Sequence, residues 1–369
     1  MVPMQVTHLP WRLILVVVAI GSFGGLVLYS AAGGSMKPWA LNHFIRFFAL
    51  LGVAIGMSYV RPQTYRDFAF PFYGAVIVLL IVVQAVGAIG GGARSWLEFG
   101  FIRIQPSELM KPALVLVLAS FYASLPASEV RKFNAIWPAA LLLLVPGLMV
   151  LIQPDLGTAM LLIFSALTVM FLAGLPLRLF VGGGLAVAAL IPIAYSVMMP
   201  HQQRRVLIFL DPEQDPLGAG YHLTQSKIAI GSGGIFGKGF LNGTQSHLHY
   251  LPEQHTDFIF SAMAEEWGLV GGLFLILCFV LLFRWGMQVA QETKGRFERL
   301  TAAGLTMTIF FYFAINMLMV MGMAPVVGIP LPLFSYGGSA MLTVMICLGV
   351  LMSIDRDTRR NRRGSSTLG

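Results

Sequence analysis

Apolar residues in this chain come in long unbroken runs, not in the three-to-four-residue rhythm of a surface helix or the alternation of a half-buried strand. A run of about 20 mostly apolar residues is what a helix needs to cross a bilayer. Such runs are read at roughly 11–31, 43–60, 70–90, 107–124, 135–152, 158–174, 177–198, 258–285, 300–322 and 336–354. The third, around VIVLLIVVQAV, is unambiguous. The fourth is weak, because it opens with QPSELMK and carries Glu108 and Lys111. Only Gly174 to Pro176 separates the sixth run from the seventh, which predicts a tight helical hairpin. The first run lacks a small-residue cleavage site and is followed by more runs, so it reads as a span and not a signal peptide. The expected fold is all-α: residues 1–369 form a single integral membrane domain with about ten transmembrane helices. One long extracytoplasmic loop, about 199–257, joins the seventh and eighth spans. No internal repeat suggests an inverted-repeat transporter.

Composition strengthens this reading. The set AVILMFWYC makes up 57% of the chain and Asp, Glu, Lys and Arg only 11%, against about 25% charged residues in soluble domains. That excludes a secreted disulfide scaffold, a disordered chain and an ordinary cytosolic enzyme. The two cysteines, Cys278 and Cys347, lie in apolar runs and offer neither metal spacing nor a disulfide framework. The net charge of +8 is informative through its placement. With the N-terminus in the cytoplasm, most basic residues fall on the inner side: Arg12, Arg61, Arg66, Arg131, Lys132, Arg178, the group Arg284 to Arg299, and the tail RDTRRNRR. Basic residues favour cytoplasmic loops, so both termini are expected inside. The tail then reads as an orientation signal, and no nucleic acid is expected as a partner.

Ionisable groups at membrane depth are costly and are functional candidates by default. Glu108 and Lys111 are three apart, on one helix face and within pairing reach. They could be a packing ion pair, a polar wall of a cavity, or both. Arg103 precedes them at the outer mouth, and Pro106 suits a first helical turn. Asp155, in QPDLGT, reads as a helix N-cap or as a site residue. Asp257 lies where the long loop meets the apolar run TDFIFSAMAEEWGLVGG. It or Thr256 could cap the helix. Its boundary position, with His255, His247, His249 and Glu253 nearby, also suits a general base acting on a lipid headgroup. The histidines could alternatively hold a divalent metal, although no spacing matches a closed zinc site. Lys238 stands in the glycine-rich GSGGIFGKG, and Arg204, Arg205 and Lys227 are further basic groups of the loop. Glycine-rich turns with a cation suit a phosphate, or mark an interfacial segment that needs flexible turns. The stretch GIPLPLFSYGGSAM, which contains Ser335, predicts broken helix lining the same outer cavity, since such backbone is tolerated only against protein or water.

Taken together, QPSELMK, QPDLGT, the loop from DPLGAGYHLTQSKIAIGSGG to LPEQHTDFIF, AEEWGLVGG and GIPLPLFSYGGSAM resemble the SEDS family (shape, elongation, division and sporulation proteins). The wording GTQS and LPEQHTDFIF favours its elongation branch. The resemblance covers about Arg94 to Ser353. It implies ten transmembrane helices in the bacterial cytoplasmic (inner) membrane and a peptidoglycan glycosyltransferase that polymerises lipid II at the outer face during elongation. It further implies a class B penicillin-binding protein (a PBP2-like transpeptidase) and other elongation-complex membrane proteins as partners, with undecaprenyl-diphosphate-linked glycan as product. Asp257 matches the family's essential aspartate, and Glu108 and Lys111 match its intramembrane acid and lysine. Arg103, Asp155, Arg204, Lys227, Lys238 and Ser335 are expected to support the substrate, and a divalent cation, magnesium or manganese, could assist. A lipid II flippase is the alternative activity, and a scaffold that only recruits a synthase is a third reading.

Overall fold

A computed structural model describes residues 9–90, 93–99, 102–197, 203, 219–244 and 254–366. In chain order it has α1 (Trp11–Ala31), α2 (Ala40–Met57), α3 (Pro62–Asp67), α4 (Ala69–Val86), β1 (Ala88–Gly90), β2 (Ala93–Phe99), β3 (Ile102–Ile104) and α5 (Pro106–Ser124). There follow α6 (Phe133–Ile152), α7 (Leu156–Ala173), α8 (Leu177–Val197), α9 (Ala219–Ser232), α10 (Ile259–Glu292), α11 (Arg296–Val320) and α12 (Gly338–Ser366).

Every apolar run of the sequence coincides with one of these helices. Eight of them (α1, α2, α4, α6, α7, α10, α11 and α12) are long and apolar enough to cross a membrane. The other two, α5 and α8, differ for opposite reasons. α5 is buried along almost its whole length, between α4, α7 and α11. A helix that faces protein on all sides need not be apolar, so it can carry Glu108 and Lys111. α8 is exposed along nearly all its length, and its apolar part is short, Leu177–Pro192.

Local chemistry sets the helix ends. Pro106 opens α5 where its missing N–H is no loss. Asp155 caps α7 by accepting a hydrogen bond from the Thr158 amide at 3.0 Å. Gly174 ends α7 in the left-handed conformation, φ +110°, and produces the tight turn into α8. α11 approaches α5 and α7 closely at Gly304, where any side chain would collide with Val115 and Val169.

Two features add to the ten expected spans, and the first is not helical. Between α4 and α5 the chain forms an antiparallel three-stranded meander, order β1-β2-β3, with Glu98 paired to Arg103 across β2 and β3. The sequence reading carried the third span to residue 90 and placed no strand here. The alternating ARSWLEF and IRI, set off by glycines, is a strand pattern that the neighbouring apolar run obscured. Within the long loop, α9 packs on α10 and α11, burying Leu223, Ser226 and Ala229. The glycine-rich segment that follows is stitched to α10. α10 breaks at Gly268 (φ 62°, ψ −158°), where Leu269 and Val270 donate to the carbonyls of Gly234 and Ile235. Lys238 and Gly239 in turn donate to those of Glu265 and Glu266. The glycine-rich segment thus supplies backbone partners to a broken transmembrane helix, which would otherwise bury unpaired groups.

Candidate functional site

At one end of the bundle, the turn Gln254–Phe258 meets the non-helical segment 321–337 that joins α11 to α12. Every residue of the turn is held by another part of the molecule, His255 and Thr256 by neighbouring residues of this segment. Gln254 donates to the Ala31 carbonyl at the end of α1, at 3.2 Å. The His255 ring stacks on Trp39 (centroids 4.5 Å apart, 8° between planes), and its carbonyl accepts from the Tyr336 amide at 2.9 Å. The Thr256 carbonyl accepts from the Ser335 hydroxyl at 2.7 Å, while that hydroxyl accepts from the Leu331 amide at 2.8 Å. The Asp257 carbonyl accepts from Asn316 of α11 at 2.9 Å. The Phe258 ring lies against His222 of α9.

Helix α10 begins after this turn, with Phe258 at its N-cap and no side-chain cap. Neither Thr256 nor Asp257 occupies the capping position that the sequence offered as an alternative. The Asp257 carboxylate faces Gly328. That glycine has φ +72°, and a methyl group placed on it would stand 3.7 Å from Asp257 Oδ2. A side chain there would be strained by the positive φ and would stand in ordinary contact with the carboxylate.

About one helical turn deeper lies a second polar layer. Lys111 Nζ pairs with Glu108 Oε1 at 2.6 Å and with the Tyr312 hydroxyl at 2.5 Å, and Tyr312 donates to the other Glu108 oxygen. The lysine is fully buried and the glutamate side chain 7% exposed. Three groups on two central helices, α5 and α11, thus form a closed triangle in which the charges balance and each partner serves the other two. The ammonium also lies 4.4 Å from the Tyr312 ring centroid.

The remaining sequence candidates fall into distinct positions. Asp155, besides capping α7, accepts from Gln105 Nε2 at 2.8 Å and so ties α7 to the entrance of α5. α7 in turn abuts the site, since Gly157 packs against Val327 and Ile329. Arg103 is exposed and paired with Glu98, and its carbonyl faces Ser339 at the start of α12. Lys227, on the exposed side of α9, lies along Gly322 just beyond α11. Lys238 pairs with Glu265 at 2.6 Å and with Thr244 at 2.8 Å. Its charge therefore braces the break in α10. Arg204, Arg205, His247, His249 and Glu253 lie outside the described residues. Among the described residues no three His, Cys, Asp or Glu side chains are grouped to hold a metal ion.

Several contributors carried no charge to attract notice in the sequence. Tyr312 and Asn316 are uncharged positions within an apolar run. Only their spacing, four apart and so on one face of α11, hints at a shared role. Arg46 of α2, a charged contributor, stands over the Tyr336 ring at 5.1 Å beside the site.

Comparison with known proteins agrees with this architecture. The FtsW/RodA/SpoVE family, described as cell cycle protein, matches residues 10–360. The peptidoglycan glycosyltransferase MrdB of Escherichia coli K12 is 45% identical over 94% of this chain and 93% of its own length. The peptidoglycan glycosyltransferase RodA of Treponema pallidum is 32% identical over 95% of this chain and 98% of its own. A chain from a structure titled for coordination of polymerization and crosslinking by a peptidoglycan synthase complex superposes with TM-score 0.83 at 33% identity, covering 95% of this chain and 98% of that one. A crystal structure of the rod shape determining protein RodA of Thermus thermophilus does so with TM-score 0.69 at 30% identity, covering 95% and 97%. A family match over nearly the whole chain, relatives of this identity and a shared polytopic fold lead to one conclusion: the chain belongs to the FtsW/RodA/SpoVE family, the SEDS proteins.

Proposed function

We propose that this protein polymerises lipid II into glycan strands at the outer face of the cytoplasmic membrane, with Asp257 as general base. The activity is the peptidoglycan glycosyl transfer named for its relatives. The observation that carries the assignment of the base is the anchoring of the Asp257 turn. Each of its five residues is fixed to another part of the molecule, His255 and Thr256 to neighbouring residues of the 321–337 segment, and the carboxylate faces Gly328, whose positive φ favours glycine. Positioning a base in this way is what proton abstraction requires.

In the proposed step the 4-hydroxyl of the acceptor sugar attacks the anomeric carbon of a lipid-diphosphate donor. The new C1–O4 bond forms as the bond from C1 to the phosphate oxygen breaks. The hydroxyl proton passes to Asp257, and the diphosphate leaves with the bonding electrons. A single displacement inverts the anomeric centre and needs no covalent intermediate, so one base is sufficient. Exposed cations near the outer end, Lys227 and Arg46 among the described residues, would balance the leaving charge. Arg204 of the long loop is a further candidate by sequence. The expected magnesium or manganese has no donor cluster behind it among the described residues, so no step is assigned to a metal.

The proposal extends to membrane placement and partner. α5 and α8 cross the membrane with the other eight long helices, both termini are cytoplasmic, and the protein resides in the inner membrane. Support comes from the basic residues at one end, where Arg362 and Arg359 prolong α12 beyond the apolar run. A cysteine introduced at Thr224 of α9 should react with an impermeant thiol reagent on intact spheroplasts. Reaction only after lysis would reverse the orientation. A class B penicillin-binding protein is the proposed partner, supported by the similarity to a chain from a complex that couples polymerization to crosslinking.

Purified protein incubated with lipid II should make polymer, and Asp257→Asn should lower the rate about 10²- to 10⁴-fold, the usual contribution of a positioned base. Asn keeps the size of the side chain and the backbone contacts of the turn. Near-normal polymerisation by a folded Asp257→Asn variant would return Asp257 to a structural role. A wild-type protein that moved lipid II across vesicles without making polymer would favour a flippase.

A further inference from the structure

Helix α11 presents three polar side chains at four-residue intervals towards the centre of the bundle. Thr308 donates to the Ser165 hydroxyl of α7 at 2.9 Å, Tyr312 closes the Glu108–Lys111 triangle, and Asn316 reaches the Asp257 turn. Asn316 is fully buried. Its Nδ2 donates twice, to the Asp257 carbonyl at 2.9 Å and to the Ile329 carbonyl at 2.7 Å. Both partners can only accept, so the amide has a single usable orientation, with nitrogen towards the turn. Its oxygen is buried and makes no hydrogen bond among the described residues. The side chain is therefore used as a double donor, at the cost of an idle buried acceptor.

These two carbonyls belong to non-helical backbone. One carries the carboxylate of Asp257. The other follows Gly328, the glycine that this carboxylate faces. By holding both, Asn316 sets the spacing between Asp257 and Gly328, and its fully buried side chain anchors that spacing to α11. We infer that Asn316 is a positioning residue for glycan polymerisation: a two-pronged amide clamp that fixes the Asp257 carboxylate relative to the floor of the site. The inference rests on the reading of Asp257 as the base.

Asn316→Asp tests it. The shape is kept, both donor hydrogens are lost, and the new oxygen is set against two carbonyls. Detergent-purified protein, checked for monodispersity and melting temperature, is assayed for lipid II polymerisation alone and combined with Asp257→Asn. If Asn316 acts through Asp257, Asn316→Asp lowers kcat about 10- to 100-fold with KM within about twofold, and costs less than about twofold more when Asp257 is already Asn. An equal fold-loss in both backgrounds, or a raised KM with unchanged kcat, would overturn the clamp and leave Asn316 a packing residue. If Asp257→Asn leaves no measurable polymer, the split between kcat and KM decides alone. Asn316→Gln keeps the donors one methylene further out and should fall between wild type and Asp. If neither variant can be purified folded, Asn316 is a folding residue and the inference fails. Near-normal activity of Asp257→Asn alone would instead sink the base reading, a separate outcome.

Discussion

Two glutamate–lysine pairs, each with a buried acid and N–O 2.6 Å, show how differently the same contact can be used in one membrane protein. Glu108–Lys111 lies inside α5, with the lysine fully buried, and its third member Tyr312 comes from α11. Nothing there is backbone, and the charges exist for one another and for the centre of the bundle. In Glu265–Lys238 the acid is fully buried but the lysine side chain is 29% exposed, and Thr244 adds its amide (3.0 Å) and hydroxyl (2.8 Å) to the same carboxylate oxygen. This second pair closes a glycine-rich loop over the break at Gly268. The first is a charge pair enclosed by protein at membrane depth. The second is a polar patch on irregular backbone, with its cation partly in reach of water. Burial of the cation is the variable that separates them, and it predicts how each responds to loss of a partner.

The enclosed pair should show the largest effect. Lys111→Met or Glu108→Gln alone leaves a buried group without its counter-charge, a loss of about 3–5 kcal/mol when a buried pair is broken. Each single variant should melt well below wild type in detergent and polymerise poorly. The double variant Glu108→Gln with Lys111→Met removes both charges together, so its loss should be less than the sum of the singles. Tyr312 can still donate to the new amide oxygen, which adds to the recovery. Two silent single variants would show that the triangle is incidental to stability and activity.

What could be read in the sequence follows the same division between local and distant partners. The helices were legible because a bilayer demands long apolar runs, and all the runs found their helices. The Glu108–Lys111 contact was legible as a possibility because helical geometry brings residues three apart together. Asp257 stood out by its place at the edge of a run. Lys238 and Glu265 are 27 positions apart, and no local rule joins them, so the sequence offered Lys238 as a phosphate ligand and was silent on Glu265. Tyr312 and Asn316 were hidden for a further reason. They are uncharged, and a single hydroxyl or amide within 25 residues of helix does not disturb its apolar character. The meander at 88–104 was lost because an apolar run leads directly into it. Ser335 was placed at the site, but its role as a brace, with its hydroxyl engaged by Leu331 and Thr256, depends on backbone that turns back on itself.

The smaller effects sharpen the comparison. Lys238→Met removes one partner of Glu265, but the Thr244 amide and hydroxyl remain, and water can reach the place where the ammonium was. The expected loss is about 1–2 kcal/mol, in the range for a charged hydrogen bond that is not left wholly unsatisfied. Polymerisation should stay within a few-fold of wild type, because in this geometry the lysine serves the loop and not the leaving diphosphate. Lys132→Ala gives the lower bound. Lys132 and Glu129 form an exposed pair at 3.2 Å with side chains 61% and 46% exposed, and pairs of that kind contribute only about 0–1 kcal/mol. Melting temperatures should therefore fall in the order Lys111→Met, Lys238→Met, Lys132→Ala, from greatest loss to least. Polymerisation by Lys238→Met is the more demanding measurement. A drop beyond about tenfold at unchanged melting temperature would mean that the ammonium leaves Glu265 to meet the substrate's diphosphate during turnover. The two pairs would then differ in function as well as in burial, with Lys238 a member of the site and Lys111 its support.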